Sequence, residues 1–298
     1  MSTNGQKNSQ LMTGAAQTML TWSRVINSID EMPEIYHANF QEIRKEQIDF
    51  PYIVLNPALK NQRNKPTERL LILIDQTLYV LEKRGKKVIQ DHMLLHPQID
   101  LEMGNALLYS WMTFRDLTET HETHKITITF NAATVRHLEP ILFKVRKITS
   151  MLNEKATLPN QQAVLLADFK FNHFAKESLP ANADVRSSLW QPTILKQIFK
   201  IFGRVFYQHI TLAHNLFLTD QELIIIWDDE QSVENRGVRY GGIRRFIPLS
   251  MISSMSVENA NQQYCTLVIQ LIGTETIEHL FAIVQIDQLH AFVKAYQG

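Results

Sequence analysis

Leu71-Ile72-Leu73-Ile74-Asp75-Gln76-Thr77-Leu78 and Leu216-Phe217-Leu218-Thr219-Asp220-Gln221-Glu222-Leu223 are two versions of one phrase, 145 positions apart (216 − 71), with five of the eight positions identical. Each is an apolar run, a polar step at Asp-Gln and a second apolar run, the pattern of two strands joined by a tight turn. The likeness continues downstream. Ile99-Asp100-Leu101-Glu102 corresponds to Met255-Ser256-Val257-Glu258 at an offset of 156, and Asn105 to Asn261. Ile126-Thr127-Ile128-Thr129-Phe130 corresponds to Ile277-Glu278-His279-Leu280-Phe281 at an offset of 151. The same 151 carries Val135, Leu138, Ile141, Leu142 and Val145 onto Ile286, Leu289, Phe292, Val293 and Tyr296. The blocks keep their order and the offset changes only between them, as in two related units with unequal loops.

Within each unit, short runs rich in Ile, Leu, Val, Tyr and Phe alternate with polar turns, the signature of strands. Lys83 to Lys87 reads as a second turn, Ala106 to Phe114 and Lys125 to Phe130 as further strands, and Val185 to Trp190 as the first strand of the second unit. At the end of each unit the apolar period switches to that of a helix. A bent antiparallel sheet leaves open edges, and one terminal amphipathic helix covers an open end. The expected fold class is mainly β with α+β character: two bent antiparallel sheets, partly open barrels, each capped by a C-terminal helix. A generic α+β sandwich of the same elements is the alternative. The expected organisation is an N-terminal helical arm over 1–48, a first unit over 49–153, a linker over 154–167 and a second unit over 168–298. In the arm, Ala16, Met19, Leu20, Trp22, Ile26 and Ile29 keep helical spacing. Pro33 suits the first turn of a second helix carrying Tyr36, Phe40 and Ile43 on one face.

Leu73-Ile74-Asp75-Gln76-Thr77-Leu78-Tyr79-Val80-Leu81 and Leu218-Thr219-Asp220-Gln221-Glu222-Leu223-Ile224-Ile225-Ile226 resemble bacterial members of the pleckstrin-homology-like (PH-like) superfamily. There a leucine-threonine-aspartate-x-x-leucine phrase is common. The resemblance covers about 50–153 and 168–296. It implies a seven-stranded bent sheet capped by one helix in each unit. It also implies a binding or scaffold role acting through surfaces and not chemistry; an enzyme of unknown type is the distant alternative. Ile74 departs from the phrase where the second unit has Thr219. The basic pattern that phosphoinositide-binding members carry between their first two strands is found in neither unit.

The bulk numbers bound the function. The 298 residues are 45% apolar, and 30 Lys plus Arg balance 30 Asp plus Glu. Such a balance excludes the basic excess of a dedicated nucleic-acid binder. One cysteine, Cys265, allows no internal disulfide; it lies in an apolar run and reads as a small buried strand residue. No apolar core follows a basic start and no run reaches the roughly 20 apolar residues of a membrane span. The expected location is cytoplasmic, with peripheral contact at the inner membrane face as an option.

Three stretches stand out as candidate sites. In Pro192 to Leu212, Leu195, Ile198, Phe199, Phe202, Val205 and Phe206 fit helical spacing, with Lys196, Lys200 and Arg204 four apart on an adjoining face. A basic amphipathic helix there would pack on its own sheet, lie in a membrane interface, or dock a partner through Phe199, Phe202 and Phe206. In Arg236-Gly237-Val238-Arg239-Tyr240-Gly241-Gly242-Ile243-Arg244-Arg245, four arginines beside three glycines suit an anion. Alternatively, they face Asp228, Asp229, Glu230 and Glu234 across a hairpin. Trp111 shares a face with Tyr109 and Thr113 and reads as buried or as a stacking residue. His121-Glu122-Thr123-His124, with His92 and His96, lacks the further ligands of a metal site. No cofactor is expected. The expected partner is a protein or an anionic lipid or phosphate surface, with self-association through the arm as a further option.

Overall fold

The computed structural model describes residues 22–44, 49–58, 67–106, 109–117, 124–150, 168–180, 183–228, 241–259, 261–273 and 275–298. It is built mainly of antiparallel strands with a few helices. A first sheet has the order β1-β2-β3-β4-β5, from β1 (Arg24–Ile26), β2 (Tyr52–Asn56), β3 (Arg69–Ile74), β4 (Thr77–Arg84) and β5 (Lys87–Leu94). β6 (Ile99–Ala106), β7 (Tyr109–Asp116) and β8 (His124–Asn131) follow, then helix α2 (Glu139–Thr149); helix α1 (His37–Arg44) precedes β2. The C-terminal half begins with helix α3 (Phe169–Ser178) and β9 (Val185–Gln191). A separate hairpin of β10 (Ile194–Ile201) and β11 (Arg204–Thr211) comes next, then β12 (His214–Thr219), β13 (Glu222–Trp227) and β14 (Gly242–Pro248). It closes with β15 (Ile252–Asn259), β16 (Tyr264–Leu271), β17 (Thr276–Ala282) and helix α4 (Ile286–Gln297).

The opening phrase forms hairpins in both places. Leu73 pairs with Leu78 and Leu218 with Leu223, so the ladder runs in the same register. These strands read as unbroken apolar runs because both faces are covered. Leu71 and Leu73 point into one core, while Leu70, Ile72 and Ile74 point into another with Tyr36, Phe40 and Ile43 of the arm. In the C-terminal half, Leu216 and Leu218 face an interior closed by Leu289 and Phe292 of α4. Phe217, Ile224 and Ile226 face outward, beneath Phe171, Phe174 and Ala175 of α3. Helices α2 and α4 fall where the 3.6-residue period places them, burying Ile141, Leu142 and Val145, and Leu289 and Phe292.

Two expectations need correction here. The arm was expected to begin with a helix over Ala16 to Ile29. Within its described part, Arg24–Ile26 instead extends the first sheet beside β2, because the β2 edge offers unpaired backbone groups. Nor are there two separate sheet systems. β14 pairs with β6, Gly242 to Asn105 through Phe246 to Leu101, fusing the halves in one seven-stranded sheet of order β8-β7-β6-β14-β13-β12-β9. One hydrophobic cluster accordingly draws on both halves. The junction is also polar. Asp100, fully buried, receives Arg115 at 3.0 Å and Arg245; buried Glu222 receives Arg146 and, at 3.2 Å, the Ser150 hydroxyl. Burial pushes the Asp100 carboxyl above the ordinary carboxylate range, opposed by Arg245 and Arg115.

Side chains bridge the two sheets of each half where no ladder closes them. In the N-terminal half Asn56 and Arg69 donate to the carbonyls of Thr129 and Thr127 on β8. In the C-terminal half the Gln191 carbonyl accepts from the Ala282 amide at 2.9 Å, and Gln285 donates to Trp190 O at 3.1 Å.

Candidate functional site

The stretch from Pro192 to Leu212 is not the helix that its spacing predicts but the β10–β11 hairpin. Its composition explains this: Ile194, Ile198, Ile201, Val205, Ile210 and Thr211 are β-branched, and Phe199, Phe206 and Tyr207 are aromatic; all favour a pleated backbone. Ile201 pairs with Arg204 across the two-residue turn Phe202-Gly203, whose φ values are 48° and 79°. Two left-handed residues make the turn type that matches strand twist, one that normally takes Asn-Gly. A phenylalanine held at positive φ costs about 1 kcal/mol or more, and here its side chain gains no burial: Phe202 is 102% exposed at the tip.

Among the described residues the ribbon pairs only with itself. At about 3.3 Å per residue its eight-residue strands extend roughly 26 Å. Arg204, Phe206 and Gln208 lie on one face with their partners Ile201, Phe199 and Lys196; Val205, Tyr207 and His209 lie on the other with Lys200, Gln197 and Leu195. Phe199 stacks on Phe206 with ring centroids 4.5 Å apart. A bulge at Ile198 shifts the register, so Lys196 and Lys200, expected on one stripe, emerge on opposite faces. Leu195, Ile198, Phe199, Ile201, Phe206 and Tyr207 are all exposed. Residues 192–213 carry three permanent cations and no acidic residue.

The arginine-rich stretch divides differently. Arg236 and Arg239 lie outside the described residues. Arg244 and Arg245 are buried on β14 and ion-paired, so they do not form the open anion patch that the sequence suggests. Arg245 meets Asp100 and, at 2.8 Å, Glu275. Arg244 meets Glu177 of α3 at 3.0 Å and the Met103 sulfur at 3.3 Å, and burial lowers its guanidinium affinity for a proton. Trp111 is half-buried, its ring against Tyr109 and its indole N–H donating to Glu102 at 3.3 Å. The ring lies over Gly104, where a Cβ would come within 2.0 Å of it. Of the histidines singled out from sequence, His121 lies outside the described residues. His124 meets Asp91, His96 meets Asp116 and His92 stacks on Tyr79. Among the described residues no three His, Cys, Asp or Glu side chains converge to hold a metal. None of their helices is long and apolar enough to cross a membrane.

Sequence reading missed a histidine pair. His214 on β12 and His279 on β17 bring their rings to 4.8 Å inside the C-terminal half, against Phe281. Burial pushes His214 down to about 4, opposed by a hydrogen bond to Leu212 O. Burial, then His214 and Arg245, push His279 down to about 3. The sequence carries no signal for this pair, because 65 residues (279 − 214) separate its members. The chain matches no protein-family model and no curated protein.

Proposed function

We propose that the chain is a non-catalytic docking protein of two tandem PH-like units, and that the β10–β11 hairpin attaches it peripherally to an anionic membrane surface. The repeated order of four strands, three strands and a helix supports the PH-like reading, with the hairpin as an insertion between the first two strands of the second unit. The observation that carries the function is Phe202: a fully exposed aromatic at a turn position where it strains the backbone. Strain kept without a packing gain is a mark of functional positions.

A membrane suits this ribbon better than a protein groove does. A groove buries one face, whereas both faces here carry apolar side chains and both carry a cation. A lipid interface surrounds the tip on all sides. Three cations near an anionic leaflet contribute about 1 kcal/mol each, and burying the Phe202 ring adds roughly 1.5–3 kcal/mol. The total corresponds to reversible attachment in the range of weak, millimolar to micromolar affinity.

Flotation of the full chain with phosphatidylcholine vesicles, with and without 30 mol% (about one lipid in three) phosphatidylserine, tests the reading. The chain is expected to float with the anionic vesicles only, less so as salt rises. Phe202→Asp and the triple variant Lys196→Glu/Lys200→Glu/Arg204→Glu are each expected to reduce binding at least tenfold, roughly the 1.4 kcal/mol of a single lost contact or more. Undiminished flotation of the triple variant removes the proposal.

A further inference from the structure

Beyond the hairpin, a cavity of about 380 Å³ opens at the junction of the two halves, between α2, α3 and the β6–β14 seam. Domain junctions are common places for small-molecule sites, and this volume lies in their usual range. Its apolar wall includes Val135, Phe143 and Phe174. Its polar wall is unevenly satisfied. Arg146 is committed to buried Glu222. The Ser178 hydroxyl, in a fully buried residue of the lining, has no hydrogen-bond partner. Arg244 is buried, yet its carboxylate partner Glu177 is 44% exposed and shared with His173 at 3.2 Å. A buried cation held by a carboxylate that can swing into water is a replaceable ion pair. An incoming anion would take Arg244 while Glu177 is rehydrated, and the unpaired Ser178 hydroxyl in the same lining offers a further donor.

We propose that this cavity binds a small amphipathic carboxylate, its head group on Arg244 and Ser178 and its apolar body along Val135, Phe143 and Phe174. Glu177 then acts as a built-in competitor that the ligand must displace. This assignment is independent of membrane attachment.

Calorimetric titration of the full chain with octanoate, and with octanol as the uncharged counterpart, tests it. Octanoate is expected to bind one to one, and octanol at least tenfold more weakly, about the worth of one charge-assisted contact. Glu177→Gln removes the competitor and is expected to tighten octanoate several-fold, a gain that a purely structural Glu177 would not give. Arg244→Met is expected to abolish the preference for octanoate over octanol, with its thermal unfolding checked alongside. Phe202→Asp, which alters only the hairpin tip, is expected to leave the titration unchanged. An octanoate affinity that stays level or weakens in Glu177→Gln overturns the assignment, as does loss of binding in Phe202→Asp, which would move the uptake to the hairpin.

Discussion

The pair Asn56–Arg69 in the N-terminal half and the pair Gln191–His214 in the C-terminal half occupy the same place in the ladder, at the end of the first strand and the start of the next. Both sit where the two sheets diverge and no backbone ladder closes the gap. The N-terminal half bridges it with an amide and a guanidinium that reach carbonyls on β8. The C-terminal half uses an amide and fills the remaining space with two imidazoles in tilted contact. What leaves the seam differs far more. Residues 57–68 connect the strands in one half; residues 192–213, with the exposed hairpin, connect them in the other. The seam is constrained by close packing between two sheets, even though Arg69 Nε, His214 Nε2 and His279 Nε2 find no hydrogen-bond partner there. A connection that leaves the ladder can change in length and sequence at little cost, and the C-terminal one carries the exposed hairpin.

The largest expected effect separates the halves at their junction. Glu222 is fully buried and depends on Arg146 and Ser150. Its counterpart at an offset of 145 is Thr77, half-buried at the start of β4 in the N-terminal half. Arg146→Met leaves a buried carboxylate without its cation and is expected to cost about 3–5 kcal/mol in urea unfolding. Arg146→Met combined with Glu222→Leu is expected to recover most of that loss. Thr77→Ala should stay within about 0.5 kcal/mol. A double variant no more stable than Arg146→Met alone would show that the junction does not rest on this pair.

The seams are also expected to answer differently to acid. His214 and His279 titrate near 4 and 3 in the fold, below the 6.5 of a free imidazole. Between those values the unfolded chain takes up protons that the fold excludes. Stability is therefore complete above pH 6.5 and declines as pH falls towards 4 and then 3. By pH 5.5 the loss is on the order of 1 kcal/mol per histidine. In the N-terminal half the position of His214 is held by Arg69. Urea midpoints at pH 7.5 and 5.5 measure the slope. Persistence of the full slope in a His214→Asn/His279→Leu variant would assign it to other groups.

Legibility from sequence followed the range of the interactions. The Asp-Gln hairpins and the two terminal helices were legible because period and turn chemistry are local, and Leu73–Leu78 and Leu218–Leu223 pair as the phrase suggests. The β10–β11 hairpin was misread because Leu195, Ile198, Phe199 and Phe202 satisfy a helical stripe, while the bulge at Ile198 breaks the alternation that would have signalled a strand. Its turn also lacks the Asn-Gly that sequence reasoning looks for. The docking of β14 on β6 was invisible, because 137 residues separate Gly242 from Asn105. So was the cavity, whose lining comes from elements on both sides of that seam. Arg244 was singled out from sequence for its neighbours in the chain, yet its actual partner is Glu177, on a helix 67 residues away.

The smallest expected effect lies in the phrase that occurs twice in the sequence. In the N-terminal turn Ile74 pairs with Thr77, and Asp75 takes a left-handed φ of 50°. In the C-terminal turn the ladder stops one pair earlier, at Leu218–Leu223, and the Thr219 side chain completes the loop. Its hydroxyl donates to Glu222 O at 2.9 Å and accepts from the amides of Gln221 at 3.2 Å and Glu222 at 2.9 Å. The same tight step is thus closed by a backbone pair in one half and by a side chain in the other, which is why Thr219 and Ile74 differ while the flanking leucines do not. Thr219→Val keeps the shape and removes the hydroxyl, leaving buried amides and a carbonyl short of a partner. The expected loss is about 1 kcal/mol in urea unfolding. Ile74→Val, which removes one methyl and no hydrogen bond, should cost a similar amount through packing alone, about 0.5–1.5 kcal/mol. The two variants are separated by amide hydrogen exchange: faster exchange at Gln221 and Glu222 in Thr219→Val, with no matching change around Gln76 in Ile74→Val. Unchanged exchange in Thr219→Val would mean that the backbone alone holds that turn.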